Sequence, residues 1–459
     1  MEPKAMNEVL TRGSNPSGGS MKRIFVLMST LLIISVGFVF ASGGAQGGAA
    51  DGEVVFWTSH GPPANGILES IVNNYNATNP AVKVKFVQVP GSETDNTALM
   101  TAVRGGTGPD VYMLDRFIVA QRAADGILED LTAVINRVDP NFKDKVLPFA
   151  WAEAQFKGKT YAFPFDTDTR GLFYNIPMLR EAGIDPAIMA QSRGPLTVDQ
   201  VKEIARKIDT KDAQGNYTKV GFIPQLSQGW HYTWGFNYGG SFMDYSTGKV
   251  TPTHPGVVAG FQFLYDWNRE MGVTQVQNFI SSFMPPNNPP QNDPFITGHL
   301  AMVVTGDWQV NTLQRYAPEL QWGVTYIPVP KAGDKPSTWA GGWSMVVPTG
   351  SKRIEAAVRF MTYICGVEGQ RKYFLENGNA PTLVALLNEK GLFPPEKQYF
   401  QDALAFTQNR PPLPVGALYW DALSTAQDMV VQNVMQPLQA LQQVEATVQP
   451  TLNRFLPLQ

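Results

Sequence analysis

"PDVYMLDRF", residues 109–117, holds a short apolar strand that ends in an acid, a base and an aromatic residue. The apolar run "VVFWT", residues 54–58, and the alternating segment "AVKVKFVQV", residues 81–89, predict two earlier strands. Helical spacing in residues 66–76, and in residues 96–106 up to two glycines, predicts a helix after each of these strands. Strands separated by helices of this length predict right-handed crossovers and a parallel sheet.

The acid and the base of this segment, Asp115 and Arg116, follow the carboxyl end of a predicted parallel strand. Ligands of open parallel sheets bind beyond this edge. Trp57, at the end of the first strand, is predicted to reach the same edge. The pattern therefore indicates a binding site that includes Trp57, Asp115 and Arg116. A salt bridge at the strand end is the alternative interpretation.

The first 41 residues predict export. From Met21, a Lys-Arg pair precedes a mostly apolar run from Ile24 to Phe40, and small residues follow. This is the layout of a secretory signal peptide, and we predict cleavage after Ala41. No cysteine lies directly after the run, at the position where a lipid would be attached, so we expect a periplasmic protein without a lipid anchor. An uncleaved membrane anchor is the alternative, although the run is shorter than the roughly 20 residues that span a bilayer.

Composition and motifs exclude several classes of protein. The chain carries 36 basic and 39 acidic residues, and this mildly acidic balance gives no basic face for nucleic acid. A length of 459 residues favours two domains. The four histidines show no metal-binding spacing, and neither a G-x-S-x-G motif nor a complete phosphate loop occurs. We therefore expect no metal and no cofactor.

Six segments, taken in order, resemble the extracellular solute-binding proteins of carbohydrate ABC importers, the family that includes the maltose-binding proteins. The first segment contains the strand of "PDVYMLDRF". The others contain, in order, a Tyr-Asn strand, a helix with a Thr cap, a Gly-x-Trp segment, a return strand and a helical pair. They are "GTGPDVYMLDRFIVAQRAADGILEDL" (106–131), "GLFYNIPMLREAGIDP" (171–186), "PLTVDQVKEIARKI" (195–208), "FITGHLAMVVTGDWQV" (295–310), "AGGWSMVVPTGSK" (340–352) and "AAVRFMTYICGVEGQRKYFLENGNAPT" (356–382).

The resemblance implies an α/β protein with the two-lobed periplasmic-binding-protein fold, discontinuous lobes, crossing strands and a ligand cleft between the lobes. The strands would cross near residues 163–171, near residues 338–344 and after Pro381. The expected N-terminal lobe contains residues 52–166 and 341–381, and the expected C-terminal lobe contains residues 167–340 and 382–459. The implied function is an exported, monomeric receptor that captures a sugar, by expectation an oligosaccharide, and delivers it to an ABC permease.

The implied site suits a sugar, which has hydroxyl groups around its edge and C–H groups on its faces. The family motif places Asp115 and Arg116 on the sugar, where a carboxylate accepts and a guanidinium donates. The resemblance favours four aromatic platforms: Trp230, Trp308, Trp343 and Trp420. Each of them has packing against a neighbouring helix as its alternative. Gly342 either lets backbone amides approach the ligand or marks a hinge or a bulge.

Two carboxylates in "FDTDTR", Asp166 and Asp168, raise the alternative of a hydrolase. Residues two apart on a strand lie roughly 6–7 Å from each other on one face, and glycosidase carboxyl groups lie roughly 5–10 Å apart. Since the segment resembles a crossing strand, we expect Asp166 to accept hydrogen bonds from the ligand or the hinge, and we expect no enzyme. The same scaffold binding another polar solute, such as a glycerol phosphate, is the remaining alternative; it would need clustered basic residues.

Overall fold

The computed structural model describes residues 52–79, 81–286 and 288–458. The predicted signal peptide, residues 1–41, lies outside the described residues. Within the three described ranges, no helix combines the length and the apolar character that crossing a membrane requires.

The strands are numbered along the chain. They are β1 (Val54–Thr58), β2 (Val84–Gln88), β3 (Val111–Asp115), β4 (Gln155–Phe156), β5 (Lys159–Thr160), β6 (Ala162–Pro164), β7 (Asp166–Thr167), β8 (Arg170–Asn175), β9 (Thr210–Lys211), β10 (Tyr217–Phe222), β11 (Met243–Asp244), β12 (Lys249–Val250), β13 (Leu300–Gly306), β14 (Trp322–Thr325), β15 (Thr338–Ala340), β16 (Trp343–Val346), β17 (Ala380–Pro381) and β18 (Thr407–Asn409).

The helices are numbered in the same way. They are α1 (Ala64–Thr78), α2 (Thr97–Arg104), α3 (Val119–Ala124), α4 (Thr132–Val138), α5 (Phe142–Lys145), α6 (Pro148–Glu153), α7 (Ile176–Glu181), α8 (Val198–Ile208), α9 (His231–Asn237), α10 (Pro255–Met271), α11 (Val273–Phe283), α12 (Trp308–Tyr316), α13 (Ile354–Ile364), α14 (Val367–Glu376), α15 (Val384–Leu387), α16 (Gln398–Ala403), α17 (Gly416–Val431) and α18 (Pro437–Leu452).

The first sheet has the strand order β2-β1-β3-β16-β6. Its first three strands pair in parallel, as the alternation of strands and helices predicts. The return strand β16 runs antiparallel to β3 and β6, and its register sets Trp343 opposite Asp115. The helix α1 covers the sheet with the residues that its sequence spacing predicts to be apolar and inward-facing: Ile67, Leu68, Ile71, Val72 and Tyr75.

The second sheet has the strand order β14-β8-β13-β10-β9. The strands β10 and β13 are parallel, whereas β8 runs antiparallel to both β13 and β14. The helix α8 packs on β10, and its N-cap residue is Thr197, whose hydroxyl accepts from the backbone N–H of Gln200 in a capping box. Each sheet has its own apolar cores, so each supports a separate lobe.

Short strands connect the two sheets. The strand β7 lies between β6 of the first sheet and β8 of the second, and it pairs antiparallel with β17. The segment between β15 and β16 crosses back to the first sheet, and Asp168 forms a bridge there with Gly341. These two crossings lie where the resemblance implies them.

The third crossing differs from the predicted lobe boundary after Pro381. Leu383, Leu386 and Leu392 pack in the core of the first lobe, so the chain stays with that lobe beyond the predicted boundary. The chain joins the second lobe at Tyr399. The apolar residues of α15 explain the difference, because they complete the first core before the chain leaves it.

Substitution of Gly221 tests the contact between α8 and the second sheet. A Cβ atom on Gly221 would lie 2.2 Å from the Cα and 2.6 Å from the carbonyl oxygen of Ala205, both of which are backbone atoms of α8. We expect Gly221→Ala to lower the free energy of unfolding by about 1–3 kcal/mol, measured by urea denaturation. Gly66→Ala is the matched control, since nothing lies within 4 Å of the added atom. Equal stability of the two variants would contradict the packing of α8 on β10.

Candidate functional site

A cleft of about 400 Å³ is lined by residues of both lobes. The ends of β3 and β16 supply one part of its lining, and segments around β8, β15 and β18 supply another. Six of the nine site residues predicted from the sequence meet here: Asp115, Trp230, Trp308, Gly342, Trp343 and Trp420. Three others lie outside the lining: Trp57, Arg116 and Asp166.

Aromatic rings form much of the cleft lining. The four predicted platforms are half-buried, so that each keeps part of its indole open: Trp230, Trp308, Trp343 and Trp420. The rings of Trp230 and Trp420 have their centroids 5.5 Å apart. The ring of His60 meets Trp343 edge-on, with the centroids 4.2 Å apart. Burial lowers the pKa of His60 to about 4, so this ring is uncharged at neutral pH.

Trp57 is a correction to the sequence analysis. Only 6% of this residue is exposed, and its side chain packs in an apolar cluster with Leu99 and Tyr112. In the register of β1 and β3, Trp57 lies beside Tyr112, inside the first lobe. A residue at the end of a strand lies near the edge of the sheet where the cleft is. Because side chains alternate between the two faces of a strand, its position along the strand does not show whether it points to the cleft or into the lobe.

Asp115 faces the cleft and is paired. Its Oδ1 accepts from Nη2 of Arg410 at 2.7 Å, and its Oδ2 lies 3.3 Å from Nη1 of the same residue. Oδ1 also accepts from the backbone N–H of Phe117, which fixes the carboxylate at the start of the following turn. Burial raises the pKa of Asp115 to about 6, and Arg410 opposes the rise. The carboxylate is therefore ionised at neutral pH.

Arg116 is a second correction, because it faces the hinge instead of the cleft. Its guanidinium is fully buried, and its Nε donates to Oε2 of Glu153 at 2.7 Å. Its two Nη groups donate to the carbonyl oxygens of Asp166 and Gly341. These carbonyls belong to the two crossing segments. Arg116 therefore ties the crossings together and has no terminal nitrogen left for a ligand.

Gly342 has a backbone that requires glycine. Its φ is +128°, and a Cβ atom here would lie 2.3 Å from the carbonyl oxygen of Asp166 and 2.6 Å from Nη1 of Arg116. Its carbonyl oxygen accepts from the backbone N–H of Arg116 at 3.1 Å. Gly342 therefore lies at the hinge and also lines the cleft. The two locations that the sequence leaves open for this residue are thus the same place.

Asp166 supports the hinge and does not line the cleft. Its Oδ1 accepts from the backbone N–H of Trp343 at 2.6 Å, and its buried Oδ2 has no hydrogen-bond partner among the described residues. Burial raises the pKa of Asp166 well above its usual value, and the carboxylate of Asp168 raises it further. Of the two roles expected for Asp166, a contact with the ligand or with the hinge, the structure contains the contact with the crossing strand.

A second ion pair, which the sequence analysis did not assign, lies in the cleft. The guanidinium of Arg170 pairs with Asp168 and also donates to the carbonyl of Trp339 at 3.0 Å. It stacks on the Trp339 ring, with 3.4 Å between its central carbon and the ring centroid. Gln228 accepts from Arg170 at 3.2 Å. In the sequence, Asp168 is one of two carboxylates in a segment that resembles a crossing, and Arg170 and Trp339 also lie in such segments.

The remaining lining residues come from loops and helix ends. They are Ser92, Glu93, Thr94, Gly341, Tyr373, Asn377 and Asn379. Apart from Gly341, which stands beside Gly342 in a predicted crossing segment, nothing in their local sequence singles them out, because their positions depend on the packing of distant segments. Among the described residues, no group of three or more His, Cys, Asp or Glu side chains is arranged to hold a metal ion.

Comparison with known proteins gives a consistent set of relatives. A family model described as bacterial extracellular solute-binding protein matches residues 60–371. The maltotriose-binding protein of Pyrococcus abyssi is 23% identical over 395 residues, which cover 83% of this chain and 78% of the relative. The arabinooligosaccharide-binding protein of Bacillus subtilis is 24% identical over 392 residues, which cover 82% of this chain and 84% of the relative.

Solved structures share the fold. CpMnBP1 with mannotriose bound has a TM-score of 0.77 at 24% identity, and the match covers 86% of this chain and 99% of that one. The substrate-binding protein Lmo0181 from Listeria monocytogenes, in complex with cycloalternan, has a TM-score of 0.73 at 20% identity, with 87% and 99% covered. The predicted two-lobed α/β fold is confirmed.

Arg116→Gln tests the hinge contact. The substitution removes the charge that balances the buried carboxylate of Glu153. We expect the free energy of unfolding to fall by about 3–5 kcal/mol, the usual cost of breaking a buried pair. The control is Arg137→Gln, whose ion pair with Glu355 is 60% and 58% exposed and should contribute less than about 1 kcal/mol. A loss for Arg116→Gln no larger than that of the control would refute the assignment.

Asp115 should make stability depend on pH. Its pKa of about 6 in the folded protein is higher than the value of about 4 in an unfolded chain, so folding takes up a proton between these values. The contribution of Asp115 to stability is then full below pH 4 and falls as pH rises to 6. We expect unfolding titrations to show wild type losing on the order of 2–3 kcal/mol relative to Asp115→Asn between pH 4 and 7. A constant difference would show that the carboxyl group is not buried in this way.

Proposed function

Because this chain belongs to the bacterial extracellular solute-binding proteins, we propose that it captures an oligosaccharide outside the cell membrane and delivers it to an ABC importer. The observation that carries the proposal is a cleft in which half-exposed tryptophans surround two buried ion pairs. Indole faces suit the C–H faces of sugar rings, and the carboxylates and amides suit the hydroxyl groups. Both similar relatives are named for oligosaccharides, and both solved structures contain one.

The charge of the cleft favours an uncharged sugar over an anion. Both arginines of its lining are already paired, Arg410 with Asp115 and Arg170 with Asp168. His60 is neutral at neutral pH, and Glu93 adds a further negative charge. A phosphate group would therefore find no unpaired cation among the described lining residues. This argues against the alternative of a glycerol phosphate.

We propose binding without catalysis. A glycosidase needs two accessible carboxyl groups on opposite sides of the scissile bond. The high pKa of Asp166 would suit a general acid, but its carboxyl group is buried behind the crossing strand. Asp168 is held by Arg170 and by the backbone N–H of Gly341 at 2.7 Å. Neither group is free to transfer a proton to a sugar.

The proposed working cycle includes export, closure and delivery. The apolar leader would direct the chain to the periplasm, where it acts as a monomer. The two lobes, with residues 52–166 and 341 to about 392 in the first, would close over the sugar by changes at the crossing segments. Membrane permease subunits would then receive the sugar. No nucleic acid takes part, since the chain has no excess of basic residues.

Thermal stability in the presence of sugars tests this proposal. We expect at least one of maltotriose, mannotriose and arabinotriose to raise the unfolding temperature of the protein without its leader. A sugar at a hundredfold excess over its Kd should stabilise the fold by about 2.7 kcal/mol. Glycerol 3-phosphate is the control and should have no effect. Chromatography after prolonged incubation should return the bound trisaccharide intact; shorter products, or stabilisation by the phosphate alone, would refute the proposal.

A further inference from the structure

The guanidinium that faces the cleft beside Asp115 comes from Arg410, far along the chain from the expected Arg116. The nitrogens of Arg116 are engaged by Glu153 and by the crossing segments. Arg410 lies 295 residues from Asp115 in the sequence, yet its Nη2 is 2.7 Å from Oδ1 of Asp115. Both residues line the cleft.

This ion pair joins the two lobes. Asp115 ends β3 of the first sheet, whereas Arg410 follows β18, which pairs with β15. The next residues, Leu413 and Val415, pack in a core of the second lobe. Nearby, the backbone N–H of Ala417 donates to Oε1 of Gln121 at 2.7 Å, a second contact between the lobes. The acid and the base that meet in the cleft are therefore brought together by the approach of the lobes.

Arg410 is packed among three aromatic rings and keeps one donor unused. Its guanidinium carbon lies 4.0 Å from the ring centroid of Phe117, 5.0 Å from that of Trp339 and 5.5 Å from that of Trp420. Its buried Nε has no hydrogen-bond partner among the described residues. An unsatisfied buried donor normally destabilises a fold. Because Arg410 lines the cleft, a polar ligand atom that came within hydrogen-bond distance of Nε would satisfy this donor.

We propose that Arg410 is a ligand contact and a positioning residue of the sugar site. Its Nε–H donates to one hydroxyl group of the sugar, and its two Nη groups hold the Asp115 carboxylate to accept from a neighbouring hydroxyl group. The inference rests on the proposed function. It assigns the site a specificity for two adjacent hydroxyl groups on an uncharged sugar ring, because donor and acceptor are fixed side by side and neutralise each other.

Arg410→Lys tests the inference, since it keeps the positive charge but removes Nε and the planar fork. The probe is whichever of maltotriose, mannotriose and arabinotriose stabilises wild type, and calorimetry measures its affinity. We expect the affinity to fall about 10- to 100-fold, the range for hydrogen bonds to charged groups. Arg371→Lys is the matched control, because it alters an arginine–carboxylate pair with Glu389 outside the cleft. The affinity of Arg371→Lys for the trisaccharide should stay within about twofold of that of wild type.

Monodeoxy derivatives of the same trisaccharide separate a ligand contact from a purely structural role. We expect one derivative to bind wild type at least about tenfold more weakly, yet to bind Arg410→Lys almost as well as the parent sugar does, because the lost contacts are the same. Strictly additive losses for every derivative would overturn the inference. So would an Arg410→Lys affinity equal to that of wild type.

Two further outcomes are decisive. If Arg410→Lys does not fold, a crystal structure of wild type with the trisaccharide replaces it, and a distance beyond about 3.5 Å from Nε to every sugar oxygen overturns the inference. If wild type binds none of the three sugars, the proposed function fails first and the inference falls with it. Sugar binding that is insensitive to Arg410 leaves the proposed function intact and removes the inference alone.

Discussion

The guanidinium of Arg116 holds together the two chain segments that lead from one sheet to the other. It donates to a carbonyl oxygen on each segment, at Asp166 and Gly341, and Glu153 balances its charge. A buried charge is tolerated only when such partners are complete. The close approach of the crossing strands also requires a glycine at position 342, whose missing side chain leaves room for this guanidinium. The relative position of the lobes, and hence the shape of the cleft, depends on this contact.

Two adjacent residues therefore serve two different parts of the molecule. The strand β3 delivers Asp115 to the cleft, and the turn that follows directs Arg116 to the hinge. The Asp115 carboxylate even shapes this turn by accepting from the backbone N–H of Phe117. One short segment therefore contributes both to the lining of the cleft and to the contacts that hold the crossing segments. The second lobe completes the arrangement with Arg410.

The sequence patterns predicted the helices and strands whose formation depends on residues close together in the chain. The spacing of Ile67 and Ile71 predicted the buried face of α1. The two-lobed fold was predicted from six segments that resemble the solute-binding family and occur in the same order. The partner of Arg116 at Gly341 is 225 residues away, and no periodicity reports such a contact. For the same reason the sequence analysis set Arg116 on the ligand and did not pair Arg410 with Asp115. The burial of Trp57 was missed because a strand end reveals which edge a residue reaches but not which face of the sheet it occupies.

The paired arginines of the cleft have a consequence for the environment in which the protein works. Attraction between a protein and a charged solute is screened by dissolved ions, and capture by long-range fields weakens steeply as ionic strength rises. In this cleft the positive charges of Arg170 and Arg410 are cancelled within a few ångströms by carboxylates, so these two arginines contribute little field to the solvent. We therefore expect the encounter between this cleft and the proposed uncharged sugar to depend little on ionic strength. The rate at which such a cleft captures a sugar should therefore be similar at low and at high salt concentration.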